Sequence, residues 1–278
     1  MTLPRQNPPP HELIDAAGTR HAAVTTPPRI VSLVPSITEL VCDLGLAGML
    51  VGRTGFCIHP RAALRGIPKV GGTKDVNLDR IRALAPTHVI VNIDENEKPA
   101  VEELARFVPH IIVTHPLAPL DNLALYRLLG GIFCRAESAA QLCAEFTRAY
   151  ADAAAACAAL PRQNVLYLIW RKPWMTVSRD TYISRTLALV GWDTLPLAAH
   201  ARYPELELDV ALLANVDHVL LSSEPYRFRE RDIVAVQKLL PSGTLSSVRL
   251  IDGEMTSWYG SRAIRGVGYL ARLRHAAG

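Results

Sequence analysis

The side chains best suited to chemistry gather in five short polar segments: GRTGFCIHP (52–60), GGTKD (71–75), WRKPWM (170–175), SSEPYRFR (222–229) and DGEMTSWYGSR (252–262). Three of the four tryptophans, Trp170, Trp174 and Trp258, lie there with Phe56, Tyr226, Phe228 and Tyr259. Aromatic rings in loops gain little core burial, so they either stack on a ligand or cover the ends of a sheet. The first job makes Phe56, Trp170, Trp174, Tyr226, Trp258 and Tyr259 a stacking surface, with Arg171 and Arg262 reaching the polar edges of what is bound. His59 fits a cleft-lining residue or an axial contact to a ligand's own metal. With Cys57 it makes a lone C-x-H pair, short of the four ligands of a structural zinc site, so no protein-bound metal is expected.

Covalent catalysis has no comparable signature. The sequence lacks a GxSxG elbow, a P-loop, an HExxH helix and an SxxK motif, which points to a non-catalytic protein with no intrinsic cofactor. A cytoplasmic enzyme or chaperone acting on a metal chelate, with Cys57 or His59 as the reactive group, is the alternative of a different class. Of the 278 residues 49% are apolar and 20% charged, with a formal charge of +4. No apolar run of about 20 residues predicts a membrane span, and the scattered Lys and Arg make no nucleic-acid stripe. The first 28 residues lack an apolar export segment, and the five cysteines lack disulfide spacing, so the sequence as it stands predicts a cytoplasmic protein; a start lying upstream would make it periplasmic.

The elements that must position these loops alternate. Residues 1–28 read as an irregular lead-in with a short strand pair around Glu12 to Val24. Then Ile30 to Val34 predicts a strand, Ser36 and Glu39 a capping box, Asn77 a helix cap, and His88 to Asn92 and His110 to Thr114 further strands. Glu137 to Leu160 has no Gly or Pro and predicts one long helix. Beyond Pro161 strand and helix alternate again, through Val165 to Trp170, His218 to Leu221 and Val248 to Ile251. LDRIRALAPTHVIV from Leu78 and LDVALLANVDHVLL from Leu208 share Leu-Asp and His-Val at one constant offset, which reads as a pseudo-duplication.

The fold class expected is therefore α/β, two Rossmann-like lobes with parallel sheets: an N-terminal lobe over 29–135, a connecting helix over 136–161 and a C-terminal lobe over 162–278. Ligands of such sheets bind beyond the carboxyl ends of the strands, here in the cleft between the lobes. Glu95, Glu97 and Glu224 follow corresponding strands of the two halves. Paired acidic knobs on twin lobes suit docking to basic patches of a two-fold partner, with solvated loop carboxylates as the plain alternative.

Taken together, RIVSLVPSITELVCDLGL, the VG-x-T loop ending in HP, GGTKDVNLDRIRALAPTHVIV, the long helix and SWYGSRAIRGVGYL resemble the helical-backbone (class III) substrate-binding proteins of ABC importers. The likeness runs over about 29–275 and is greatest to the cobalamin-binding, BtuF-like branch. It implies a rigid connecting helix, small closure motions and reversible binding of a cobalamin-like corrinoid, with a ferric siderophore or haem as the alternative ligand. It casts Glu95 or Glu97, with Glu224, as the carboxylates that meet arginines of an ABC permease.

Overall fold

The computed structural model describes residues 12–197, 201–241 and 246–276; residues 1–11 of the expected lead-in lie outside them. The chain divides into two compact units, Met1–His115 with Ala124–Gln141, and Pro116–Leu123 with Leu142–Gly278. Before the first strand, Ile14 and Arg20 form an antiparallel bridge, the strand pair expected near Glu12 to Val24.

Unit 1 holds the parallel strands β1 (Ile30–Ser32), β2 (Leu50–Arg53), β3 (His88–Asn92) and β4 (His110–Thr114), in the order β2-β1-β3-β4. Unit 2 holds β5 (Gln163–Leu168), β7 (Trp192–Thr194), β9 (His218–Ser222) and β10 (Ser247–Ile251), in the order β10-β9-β5-β7. Numbered within each unit, both sheets read second, first, third, fourth strand. The repeat seen in the sequence is thus a repeat of topology: β3 and β9 occupy the same place in their sheets, and every residue of both is buried. A short antiparallel hairpin, β6 (Trp174–Met175) with β8 (Glu205–Leu206), is added to unit 2.

Helices α1 (Pro35–Asp43), α2 (Leu78–Ala83) and α3 (Lys98–Leu104) accompany the first sheet, and α6 (Tyr182–Leu189), α7 (Val210–Leu213), α8 (Glu230–Gln237), α9 (Gly253–Ser257) and α10 (Arg262–His275) the second. Asn77 caps α2 by accepting the Arg80 N–H at 2.9 Å. The capping box expected at Ser36 is absent, because Pro35 takes the first turn, Val34 is the cap residue and Ser36 falls inside α1. Along the chain, α4 (Asp121–Ile132) and α5 (Ala136–Cys157), the long helix of the sequence reading, follow β4 and precede β5. The sequence hid α4 behind Gly130 and Gly131. Those glycines serve close packing: a Cβ on Gly130 would stand 2.4 Å from Ala139 Cβ, and one on Gly131 2.4 Å from Leu13 Cδ2.

Val31 of β1, Leu33 just after it, and Val89 and Val91 of β3 pack with Ile81 and Leu104 in unit 1. In unit 2, Leu166, Leu168, Val219 and Leu221 pack on Leu213, Phe228 and Val236. Each centre excludes water from the start of its third strand, where His88 stacks on His110 at 4.6 Å between ring centroids. Burial foremost, then the nearby His110 and His21, lowers the His88 pKa from 6.5 to about 4. A histidine whose folded pKa is depressed contributes its full stability above pH 6.5 and loses it as pH falls from there towards 4. The expected loss attributable to His88 is on the order of 3 kcal/mol. Denaturant unfolding between pH 7 and pH 4 should show a shallower decline in His88→Gln than in the unsubstituted protein; equal slopes would remove His88 as the cause.

Candidate ligand-binding site

Because β3 and β9 are buried on both faces, polar chemistry is left to the loops at the carboxyl ends of the strands. In unit 1 one amide organises three of them. Asn96, itself buried, accepts the Asn92 N–H on Oδ1 at 2.9 Å and donates from Nδ2 to the carbonyls of Thr73 (2.9 Å) and Leu33 (3.3 Å). The segments after β1, before α2 and after β3 are thereby fixed to one another. Lys74 adds a bond to the Asp94 carbonyl at 3.0 Å and an ion pair with exposed Glu97 at 3.2 Å. Gly71 turns the chain with φ +107°, and a Cβ there would stand 2.4 Å from the Asp75 carbonyl oxygen, so only glycine fits.

The 53–60 loop carries Phe56, which is 63% exposed with its ring edge over Gly72, and half-buried His59. Cys57 faces inward, held by the hydroxyls of Thr38 (3.0 Å) and Thr54 (3.1 Å). Burial pushes its thiol pKa up against those hydrogen bonds, an environment that suppresses a nucleophilic thiolate.

In unit 2 the expected aromatic residues do meet, largely each other. Trp170 packs edge-on to Tyr226 at 5.7 Å, Tyr226 edge-on to Phe228 at 4.7 Å, and Phe228 face-to-face on Trp174 at 6.2 Å. This ladder runs from the core, where Phe228 is buried, to Trp170, which is 39% exposed. Arg171 lies over the Trp174 ring at 5.4 Å and forms an ion pair with fully buried Asp232. It braces the ladder, where the sequence reading had it reaching a ligand.

The DGEMTSWYGSR segment also differs from expectation. It forms α9, and Trp258 and Tyr259 are only 8% and 7% exposed. Arg262 is buried beneath them, donating to Glu254 at 2.8 Å and lying over the Trp258 ring at 4.6 Å. Tyr259 packs edge-on to Tyr182, whose hydroxyl accepts from Asn122 Nδ2 at 3.0 Å. Asn122 Oδ1 in turn accepts the Gly260 N–H at 2.6 Å. These residues build a wall, and their exposed surface is small.

The alternating sheets, with their strand-end loops of aromatic and basic residues, agree with a sequence signature that matches residues 30–236, that of the periplasmic binding proteins. The chain belongs to this family. Its curated relatives include the vitamin B12-binding protein of Photorhabdus laumondii, 23% identical over 202 residues, or 73% of each chain. Among solved structures, the periplasmic vitamin B12-binding protein BtuF of Vibrio cholerae superposes with a TM-score of 0.78 at 18% identity, over 90% of this chain and 98% of that one. The periplasmic haem-binding protein RhuT of Roseiflexus sp. RS-1 superposes with a TM-score of 0.77 at 19% identity, over 91% and 99%. The family and the fold are those of solute-binding proteins. Among the described residues no helix is long and apolar enough to cross a membrane.

The acidic residues sort differently from the sequence reading. Glu224 is half-buried, accepts the Ser257 hydroxyl at 2.6 Å, and burial raises its pKa, which is a poor setting for an exposed docking charge. Glu95 is half-buried as well, and Glu97 is paired with Lys74. The repeat itself pairs Asp79, which is exposed and 3.8 Å from Arg82, with exposed Asp209, both at the start of the helix that leads into the equivalent strand. The Leu-Asp match carried that signal. Asn96 had none, since nothing in NIDENEK separates it from its polar neighbours.

Asn96→Ala would strand the polar groups it satisfies at a cost of about 1–3 kcal/mol, against about 0–1 for Glu97→Ala. Chemical denaturation reads both, and amide exchange should accelerate around Thr73 only in Asn96→Ala.

Proposed function

We propose that this protein reversibly binds a cobalamin-like corrinoid without transforming it. The observation that carries this reading is the ladder Trp170–Tyr226–Phe228–Trp174, a rigid aromatic surface rooted in the unit 2 core whose outer ring is open. A flat, rigid macrocycle loses little conformational entropy on stacking, so preformed aromatic area translates into affinity. In unit 1, Phe56 is likewise an exposed ring. The vitamin B12-binding relatives support the ligand class.

Haem is the second reading. It is favoured by the likeness to a haem-binding structure and by His59 and Tyr226, whose side chains can ligate iron, His59 in the loop of Phe56 and Tyr226 packed on Trp170. Both readings require only reversible binding, which the buried, raised-pKa Cys57 suits better than it suits an enzyme.

The docking partner we propose is the permease of an ABC importer, met by Asp79 of unit 1 and Asp209 of unit 2. Co-purification of a transmembrane partner with the wild-type protein, kept in Glu95→Lys/Glu224→Lys and lost in Asp79→Lys/Asp209→Lys, is the expected pattern; the reverse pattern would return the role to the glutamates.

The ligand is tested by titrating tryptophan fluorescence with cyanocobalamin, cobinamide, haemin and a ferric siderophore, corrected for ligand absorbance. Saturable quenching by a corrinoid is expected, weakened in Trp170→Ala by roughly 1 kcal/mol, about fivefold in Kd. A Soret shift with haemin that disappears in His59→Ala or Tyr226→Phe would instead decide for haem, and saturation by no ligand would defeat both readings.

A further inference from the structure

One cavity is left unused by the strand-end aromatic site. From Leu44 to Lys74 the sequence contains no Asp or Glu, yet it carries Arg53, Arg61, Arg65, Lys69 and Lys74. The fold brings all of these but Lys74 to the wall of a single recess of about 320 Å³ in unit 1, which Cys57 and Ile58 also line. Arg53 and Lys69 come together because their backbones pair in parallel, the Arg53 N–H donating to the Pro68 carbonyl at 3.0 Å and the Val70 N–H to the Arg53 carbonyl at 2.8 Å. Arg61 and Arg65 sit on consecutive turns, tied by the Leu64 N–H to the Pro60 carbonyl at 3.2 Å and by the Arg65 N–H to the Ala62 carbonyl at 3.4 Å.

Other basic side chains nearby have acidic partners: Lys74 has Glu97 and Arg82 has Asp79. Among the described residues Arg53, Arg61, Arg65 and Lys69 form no ion pair. Arg53 is oriented by Nη1, which donates to the carbonyls of Thr54 (3.2 Å) and Cys57 (2.9 Å), while its Nε is buried with no partner among the described residues. Cations that converge on a concave wall without a counter-charge repel one another and build a positive local potential, which an anion relieves. Guanidinium forks match the oxygens of phosphate and carboxylate groups, and several cations together favour an anion of more than one charge. The volume lies at the small end of the roughly 300–1,000 Å³ typical of ligand pockets, enough for a small anion and too little for a macrocycle.

We propose that this recess, whose lining shares none of the aromatic residues or His59, is a binding site for a small, multiply charged oxyanion of the phosphate class. Arg61 and Arg65 are exposed, so replacing them tests the site with little disturbance of the fold. Isothermal titration of the full chain with inorganic pyrophosphate, and in parallel with citrate, should show saturable pyrophosphate binding. Arg61→Ser/Arg65→Ser should weaken it by about tenfold or more, with circular dichroism unchanged. Absence of saturable binding, binding that the double variant leaves unaltered, or citrate held more tightly than pyrophosphate would each overturn the proposal.

Discussion

The candidate ligand-binding side chains of this molecule are displaced to the strand ends by one constraint: the third strand of each unit has no face in contact with water. In β3 and β9 every residue is buried, so neither strand can present a polar side chain along its length. Each ends on a buried polar residue that turns the chain. Asn92 Oδ1 accepts the Asp94 N–H at 2.8 Å, and Ser222 Oγ accepts the Glu224 N–H at 3.3 Å. Where strands are apolar throughout, their ends are the first place a side chain can meet a ligand, and both units use them in the same way.

The same constraint explains what could be read in advance. Continuous apolar runs opened by histidine, with the Leu-Asp to His-Val match, were enough to place β3 and β9 and to recognise the duplication, because burial on both faces leaves an unbroken signature in the sequence. Helix caps such as Asn77 were legible for a similar reason, since one side chain accepting one N–H is a local event. The capping box at Ser36 was misread because Pro35 competes for the same helix start. Helix α4 escaped notice because glycines that admit a close neighbour look, in sequence, like glycines that end a helix.

The site was less legible than the fold. Loop position correctly brought Trp170, Trp174 and Tyr226 together, but it could not say which ring is spent on a neighbour and which stays open. Phe228 anchors in the core and Trp174 stacks on it, so the outward surface passes to Trp170. Charge was harder still, because a basic or acidic residue in a loop looks the same whether it is free or engaged. Arg171 is occupied by Asp232 and Glu224 by Ser257, partners too distant in sequence to be visible, and Arg262 by Glu254, whose approach depends on the α9 turn between them.

The two units also differ in how their last contacts are made, and this bears on their synthesis. The first has all four strands by Thr114 and all its residues by Gln141. The second closes through Arg274 of α10, whose fully buried side chain donates from Nη2 to the Pro161 carbonyl at 2.6 Å, across 113 residues. A chain emerging from the ribosome can therefore complete its first unit while the second still waits for its final helix. During that interval the strands of the nascent second unit are the ones in need of protection from aggregation.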